Sequence, residues 1–129
     1  MKKELTSKLY LRFPDIFKGR SKPLTESLMA FGLQCGDGWF DLIHELCEDL
    51  ERQATLDDVP LPEAVQIKEK IGGLRFYVGG ATQAMLDRIY ETEMRSETIC
   101  EICEICGDLA ERLSDGGWIK TRCKEHQDD

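Results

Sequence analysis

Apolar residues recur at helical spacing in several stretches of the chain and alternate strictly in one, and this pattern predicts the elements. Residues 4–12 predict a short helix, which Phe13-Pro14 ends because a residue before proline avoids the helical region. Phe13, Ile16 and Phe17 then form an apolar cluster, read either as part of the core or as a docking arm. Pro23 opens a second predicted helix to about Phe31, with Leu24, Leu28 and Phe31 on one face, and 32–38 reads as a turn. The clearest helix spans 39–54, with Trp39, Ile43, Leu46 and Leu50 on one face, widened by Leu42 and Cys47. A loop over 55–64 carries Asp57-Asp58 and the Pro60-Leu-Pro62 pair.

Residues 65–78 predict a β-hairpin. Val65, Ile67, Glu69 and Ile71 alternate with Gln66, Lys68 and Lys70, and Leu74, Phe76 and Val78 alternate with Arg75 and Tyr77, with Gly72-Gly73 as the two-residue turn. Residues 81–99 predict a helix in which Met85, Ile89 and Met94 are helically spaced beside Leu86 and Tyr90. Residues 109–113 and 118–122 flank Ser114-Asp-Gly-Gly117 as a second small hairpin, with Trp118 expected to cover the neighbouring site or to dock this hairpin on the body. The predicted class is α+β: a small helical body with a β-hairpin over 1–99, and a C-terminal zinc-ribbon-like knuckle over 100–129.

Metal chemistry enters with the C-terminal cysteines. Cys103-Glu-Ile-Cys106-Gly107 is a metal knuckle, and Cys123-Lys-Glu-His126 is a second hook that completes four nitrogen and sulfur ligands, the number that closes a tetrahedral zinc site. Gly107 favours this register, because a tight knuckle often needs a positive φ after its second cysteine. Cys100 sits in a tandem Cys100-x2-Cys103-x2-Cys106 repeat and is either a bystander or an alternative ligand. A closed site argues for stability rather than catalysis. His44 and Cys47 are also close in sequence, but read as a surface and a core residue.

Composition adds a charge asymmetry. The chain has 129 residues, 33% of them charged, a mean hydropathy of -0.39 and a net charge of -8. Residues 1–22 hold seven basic and two acidic side chains, for +5, which leaves -13 on the rest. An acidic body repels phosphate backbones and suits basic protein surfaces, unless its charge serves only solubility. The candidate partner surface is the acidic side of the 39–54 helix, with Asp41, Glu45, Glu48 and Asp49, extended by Asp57 and Asp58. Without a secretory h-region or an apolar run of membrane length, the expected location is the cytoplasm, where cysteines stay reduced.

The segments Trp39-Phe40-Asp-Leu-Ile43, Lys68-Glu-Lys-Ile-Gly-Gly-Leu-Arg-Phe-Tyr77, Cys103-x2-Cys106-Gly and Gly117-Trp-Ile-Lys-Thr-Arg-Cys123-x2-His126 resemble those of small zinc-binding accessory proteins encoded by phages and prophages. The resemblance covers most of the chain after residue 38, and the extra Cys100 departs from it. It implies a host bacterial cytoplasm and no enzyme chemistry. By origin it suggests an inhibitor of a bacterial defence complex, such as an anti-CRISPR protein. The expected function is therefore a non-enzymatic, zinc-stabilised protein that blocks a nucleic-acid-binding groove with its acidic surface. The alternative is a zinc-ribbon regulator that binds nucleic acid through its basic N-terminal arm. An enzyme is the third expectation, disfavoured because one of only two histidines is a predicted ligand and no nucleophile–base pair is apparent.

Overall fold

The computed structural model describes the backbone of residues 1–103, 111–115 and 118–126, and the side chains of all of these except 111–115 and 118. Helix α1 spans Lys3–Arg12 and ends where Phe13 N–H closes on Leu9 O at 2.8 Å. Phe13, Ile16 and Phe17 are buried, so the aromatic cluster belongs to the core and not to an arm. Strand β1, Leu33–Gln34, is followed by helix α2, Phe40–Asp57, strands β2, Glu63–Lys70, and β3, Gly73–Gly79, and helix α3, Gln83–Ser96. Strands β4, Glu111–Asp115, and β5, Trp118–Arg122, pair antiparallel as the predicted second hairpin.

Helix α2 follows its apolar period: Leu42, Ile43, Leu46, Cys47, Leu50 and Ala54 are all buried. Its carboxylates repel one another along the opposite side, so packing of the apolar face must hold it. It stops where Asp58 takes a left-handed φ of 52°, with Val59 N–H on Ala54 O at 3.0 Å and Asp58 N–H on Thr55 O at 3.3 Å, a Schellman ending. Helix α3 starts at Thr82, whose hydroxyl accepts Met85 N–H at 3.3 Å. Met85, Ile89, Thr92 and Ser96 face inward, whereas Leu86, Tyr90 and Met94 are exposed. Met94 therefore departs from the predicted apolar face, because the helix turns the 85–89–92–96 side to the core.

The stretch Pro23–Phe31 differs from the prediction. It forms a turn and a short 3-10 segment, Met29–Phe31, not a helix, and Leu24 and Phe31 are exposed. One distant and one local bond draw it away from a helix: Leu28 N–H reaches Val65 O at 2.8 Å, and Met29 N–H is taken by Ser27 Oγ at 3.1 Å. The predicted 32–38 turn contains β1, which runs parallel to β2 with Leu33 opposite Ile67 and Gln34 opposite Lys68.

The hairpin turn is shifted by one residue. Lys70 pairs with Gly73, so Ile71 and Gly72 are the central residues, at φ 53° and 77°. A β-branched residue at positive φ is strained. The turn is fixed from outside: Glu69 Oε2 accepts Gly72 N–H at 2.8 Å and Thr121 Oγ1 donates to Gly72 O at 2.5 Å. The sheet order is β1-β2-β3, and α3 covers the β3 edge, where Ser96 Oγ accepts Leu74 N–H and Glu93 Oε2 accepts Phe76 N–H, both at 2.8 Å.

Burial raises the Glu93 carboxyl above its ordinary range, more than the Phe76 N–H and Arg75 lower it. A carboxyl bound to its proton more tightly in the folded state loses stability as pH rises through that raised value. Glu93→Gln is therefore expected to match the parent below about pH 4 and to exceed it near neutrality, as read from urea unfolding across pH. Ile71→Asn is expected to raise stability by about 1 kcal/mol, since Asn-Gly suits a turn with two positive φ values, and thermal unfolding measures it.

Candidate metal centre

Cys100, Cys103, Cys123 and His126 converge so that their ligand atoms all lie within 4.8 Å of one another. His126 Nδ1 stands 3.0 Å from Cys123 Sγ, 3.2 Å from Cys103 Sγ and 3.8 Å from Cys100 Sγ, and the Cys103 and Cys123 sulfurs are 3.9 Å apart. That separation is far beyond a disulfide bond. Tetrahedral coordination at ordinary zinc–ligand lengths sets neighbouring sulfurs about 3.8 Å apart and sulfur–nitrogen pairs about 3.6 Å apart. Three thiols and an imidazole at these distances fit a single metal ion. Cys100 and Cys123 are buried, and Cys103 and His126 are half-buried.

Local structure explains the convergence. Strand β5 delivers Cys123, and the 3-10 turn Lys124–His126 closes His126 N–H on Cys123 O at 3.1 Å, folding the imidazole back beside the thiol. Cys100 and Cys103 follow the end of α3. Of the predicted ligands, Cys103, Cys123 and His126 come together, while Cys106 lies outside the described residues. Cys100, held outside the preferred register by the sequence, is the fourth member of the cluster. The tandem cysteine repeat was the signal for it.

The cluster is tied into the body through Glu101. Its backbone O accepts Gly38 N–H at 2.8 Å, its backbone N–H donates to Thr121 O at 3.1 Å, and its Oε2 accepts Gly36 N–H at 2.9 Å. Arg122 Nη1 donates to Glu101 Oε1 at 2.9 Å in a buried ion pair. A Cβ on Gly36 would lie 2.1 Å from Glu101 O, and one on Gly38 would lie 2.0 Å from Cys100 O. These glycines serve close backbone approach more than turning. Trp39, fully buried, donates from Nε1 to Ile99 O at 2.9 Å.

The other cysteines with described surroundings are chemically quiet. Burial pushes the Cys35 thiol up to about 12 and raises Cys47 further still. His44 packs against the Phe13 ring at 5.0 Å and the Phe40 ring at 5.9 Å and meets Glu48 at 3.3 Å, and among the described residues it joins no cluster of three or more metal-binding groups.

The candidate partner residues spread along and beyond α2. Asp41 is exposed, and Glu45 is exposed with Arg95 3.4 Å away. Glu48 meets His44, and Asp49 is held by both Arg88 and Arg52. Burial would raise the Asp49 carboxyl, but the two arginines outweigh it and hold it below its ordinary range. Asp57 accepts from Gln53 Nε2 at 2.7 Å, and Asp58 forms the exposed cap of α2. No helix among the described residues is long and apolar enough to cross a membrane. Compared with protein-family models, curated proteins and solved structures, the chain matches none.

Removing one partner of a buried ion pair costs about 3–5 kcal/mol, because the other charge stays behind. Glu101→Ala, which also strips acceptors from Gly36, is expected to lose that much in denaturant unfolding at saturating metal.

Proposed function

We propose that the chain is a zinc-stabilised, non-enzymatic binding protein that inhibits a nucleic-acid-binding defence complex of a bacterial host. The observation that carries the zinc reading is the cluster of three thiols and one imidazole whose ligand atoms all lie within 4.8 Å of one another. Sulfur-rich tetrahedral sites favour zinc, and four protein ligands leave no open position for a substrate. Such a site holds a surface in shape. A partner with a Lys/Arg groove suits the carboxylates on the outer side of α2, with Asp41 the most available and the exposed Glu45 shared with Arg95; Asp49 serves mainly to bind α3. Charge complementarity there would speed encounter more than it deepens affinity.

The basic N-terminal segment supports the regulator reading less. Arg12 pairs with Glu51 at 3.0 Å, Lys22 pairs with Glu63 at 2.6 Å, and Arg20 donates to Phe17 O at 2.8 Å, so three of its cations already serve the fold.

The metal reading is tested by reconstituting metal-free protein with cobalt, expecting one ion per chain and thiolate-to-metal absorption. Cys100→Ser is expected to weaken binding at least about tenfold, whereas an unchanged affinity would place Cys106 in its stead. The partner reading is tested by tagged pull-down from lysate containing candidate defence complexes. A stoichiometric protein partner that survives nuclease supports it, and Asp41→Lys with Glu45→Lys should then slow association. The absence of any protein partner that survives nuclease would count against it.

A further inference from the structure

The segment Lys68–Tyr77, the most distinctive in the sequence, plays no part in the metal site or the acidic helix. Its register shows what it builds. Leu33, Ile67, Leu74 and Phe76 turn one face of the sheet into the core with the helices behind it. The pairs Gln34–Lys68, Lys68–Arg75 and Gln66–Tyr77 stand on the other face, and Lys70 shares their parity. The outward positions are thus Gln34, Glu63, Gln66, Lys68, Lys70, Arg75 and Tyr77. The one carboxylate among them, Glu63 at the start of β2, is paired with Lys22 at 2.6 Å, and Glu97 of the α3 end reaches the face beside Gly73, so cations outnumber carboxylates there although the chain carries 25 acidic residues against 17 basic ones. Lys68 and Lys70 enter no ion pair among the described residues, and Arg75 Nη1 rests on Leu74 O at 3.0 Å. The Tyr77 ring is 41% exposed on this face, beside the Gln66 and Gln34 amides, which meet at 3.5 Å.

We propose that this outward sheet face binds single-stranded nucleic acid. The surface combines the parts that such a ligand needs. An exposed aromatic ring offers a stacking platform for a base, cations about 7 Å apart along β2 meet successive backbone charges, and side-chain amides present donors and acceptors to base edges. An acidic peptide would match the cations but has no use for the ring and the amides together. The apolar side of α2 and the inner face of the sheet share one core, so the carboxylates on the opposite side of α2 do not stand on the sheet's outward face. This surface is separate from the acidic side of α2, so either reading stands or falls alone.

The test is fluorescence anisotropy of zinc-loaded protein with labelled twelve-nucleotide single-stranded DNA and RNA of mixed sequence. Binding is expected for at least one of them, with log affinity falling against log salt at a slope of about -2 for three phosphate contacts. Tyr77→Ala should weaken it at least about fivefold, and Lys68→Glu with Lys70→Glu should abolish it, while zinc content and circular dichroism stay those of the parent. Lys3→Glu with Lys8→Glu, on the N-terminal helix, and Asp41→Lys with Glu45→Lys should still show sheet-dependent binding. Three results would overturn the proposal: no binding of either strand at low salt, binding indifferent to the sheet variants, or competition by a polyglutamate peptide as strong as that by unlabelled strand. The last would give the face to an acidic protein partner.

Discussion

The backbone crossing of Gly36–Gly38 with Cys100–Glu101 is the contact on which the rest of the structure depends. No side-chain carbon fits between the two segments, so peptide groups meet directly and Glu101 joins three parts of the chain at once. On one side it holds the start of α2 and the buried Trp39. On the other it holds β5, which carries Cys123, and through Thr121 the turn of the main hairpin. The ligand cluster and the hydrophobic core are coupled by hydrogen bonds a few residues long. A metal bound there would therefore stabilise the body as well as its own hairpin, since binding to the folded state alone adds to folding free energy.

Features set by local rules were legible in the sequence. The period of Trp39 to Ala54 marked α2, the alternation from Val65 to Val78 marked β2 and β3, and the Cys-x2-His hook located two of the clustered ligands. Features set by distant partners were not. Leu33–Gln34 is too short to show alternation and is a strand only because β2 lies beside it. Pro23–Phe31 has helical spacing, but Val65 O and Ser27 Oγ take the amides a helix would use. The turn slipped to Ile71-Gly72 because Glu69 and Thr121 grip Gly72. Cys100 joined the cluster because its carbonyl lies against Gly38, a contact no local motif encodes.

Charge is also arranged less simply than the net value suggests. Much of the acidic side of α2 is spent on internal pairing: Asp49 binds α3 through Arg88, Glu45 meets Arg95, and Glu51 meets Arg12 of α1. Exposed pairs of this kind contribute little each, yet they orient the helices and remove charge from the field a partner would feel. Meanwhile the outward face of the sheet carries more cations than carboxylates, and its Glu63 is paired with Lys22. A protein acidic overall thus presents surfaces of opposite character on its two sides.

The small sheet also has part of each border occupied. Along β3, Ser96 and Glu93 receive the amides that another strand would have taken, and along β1 the Met1 ammonium donates to the carbonyls of Leu33 and Cys35. An unsatisfied strand border is a template for adding strands from other copies, the first step of fibrillar aggregation. Groups that cannot extend the ladder thus take positions on both borders where a strand from a second molecule would otherwise add.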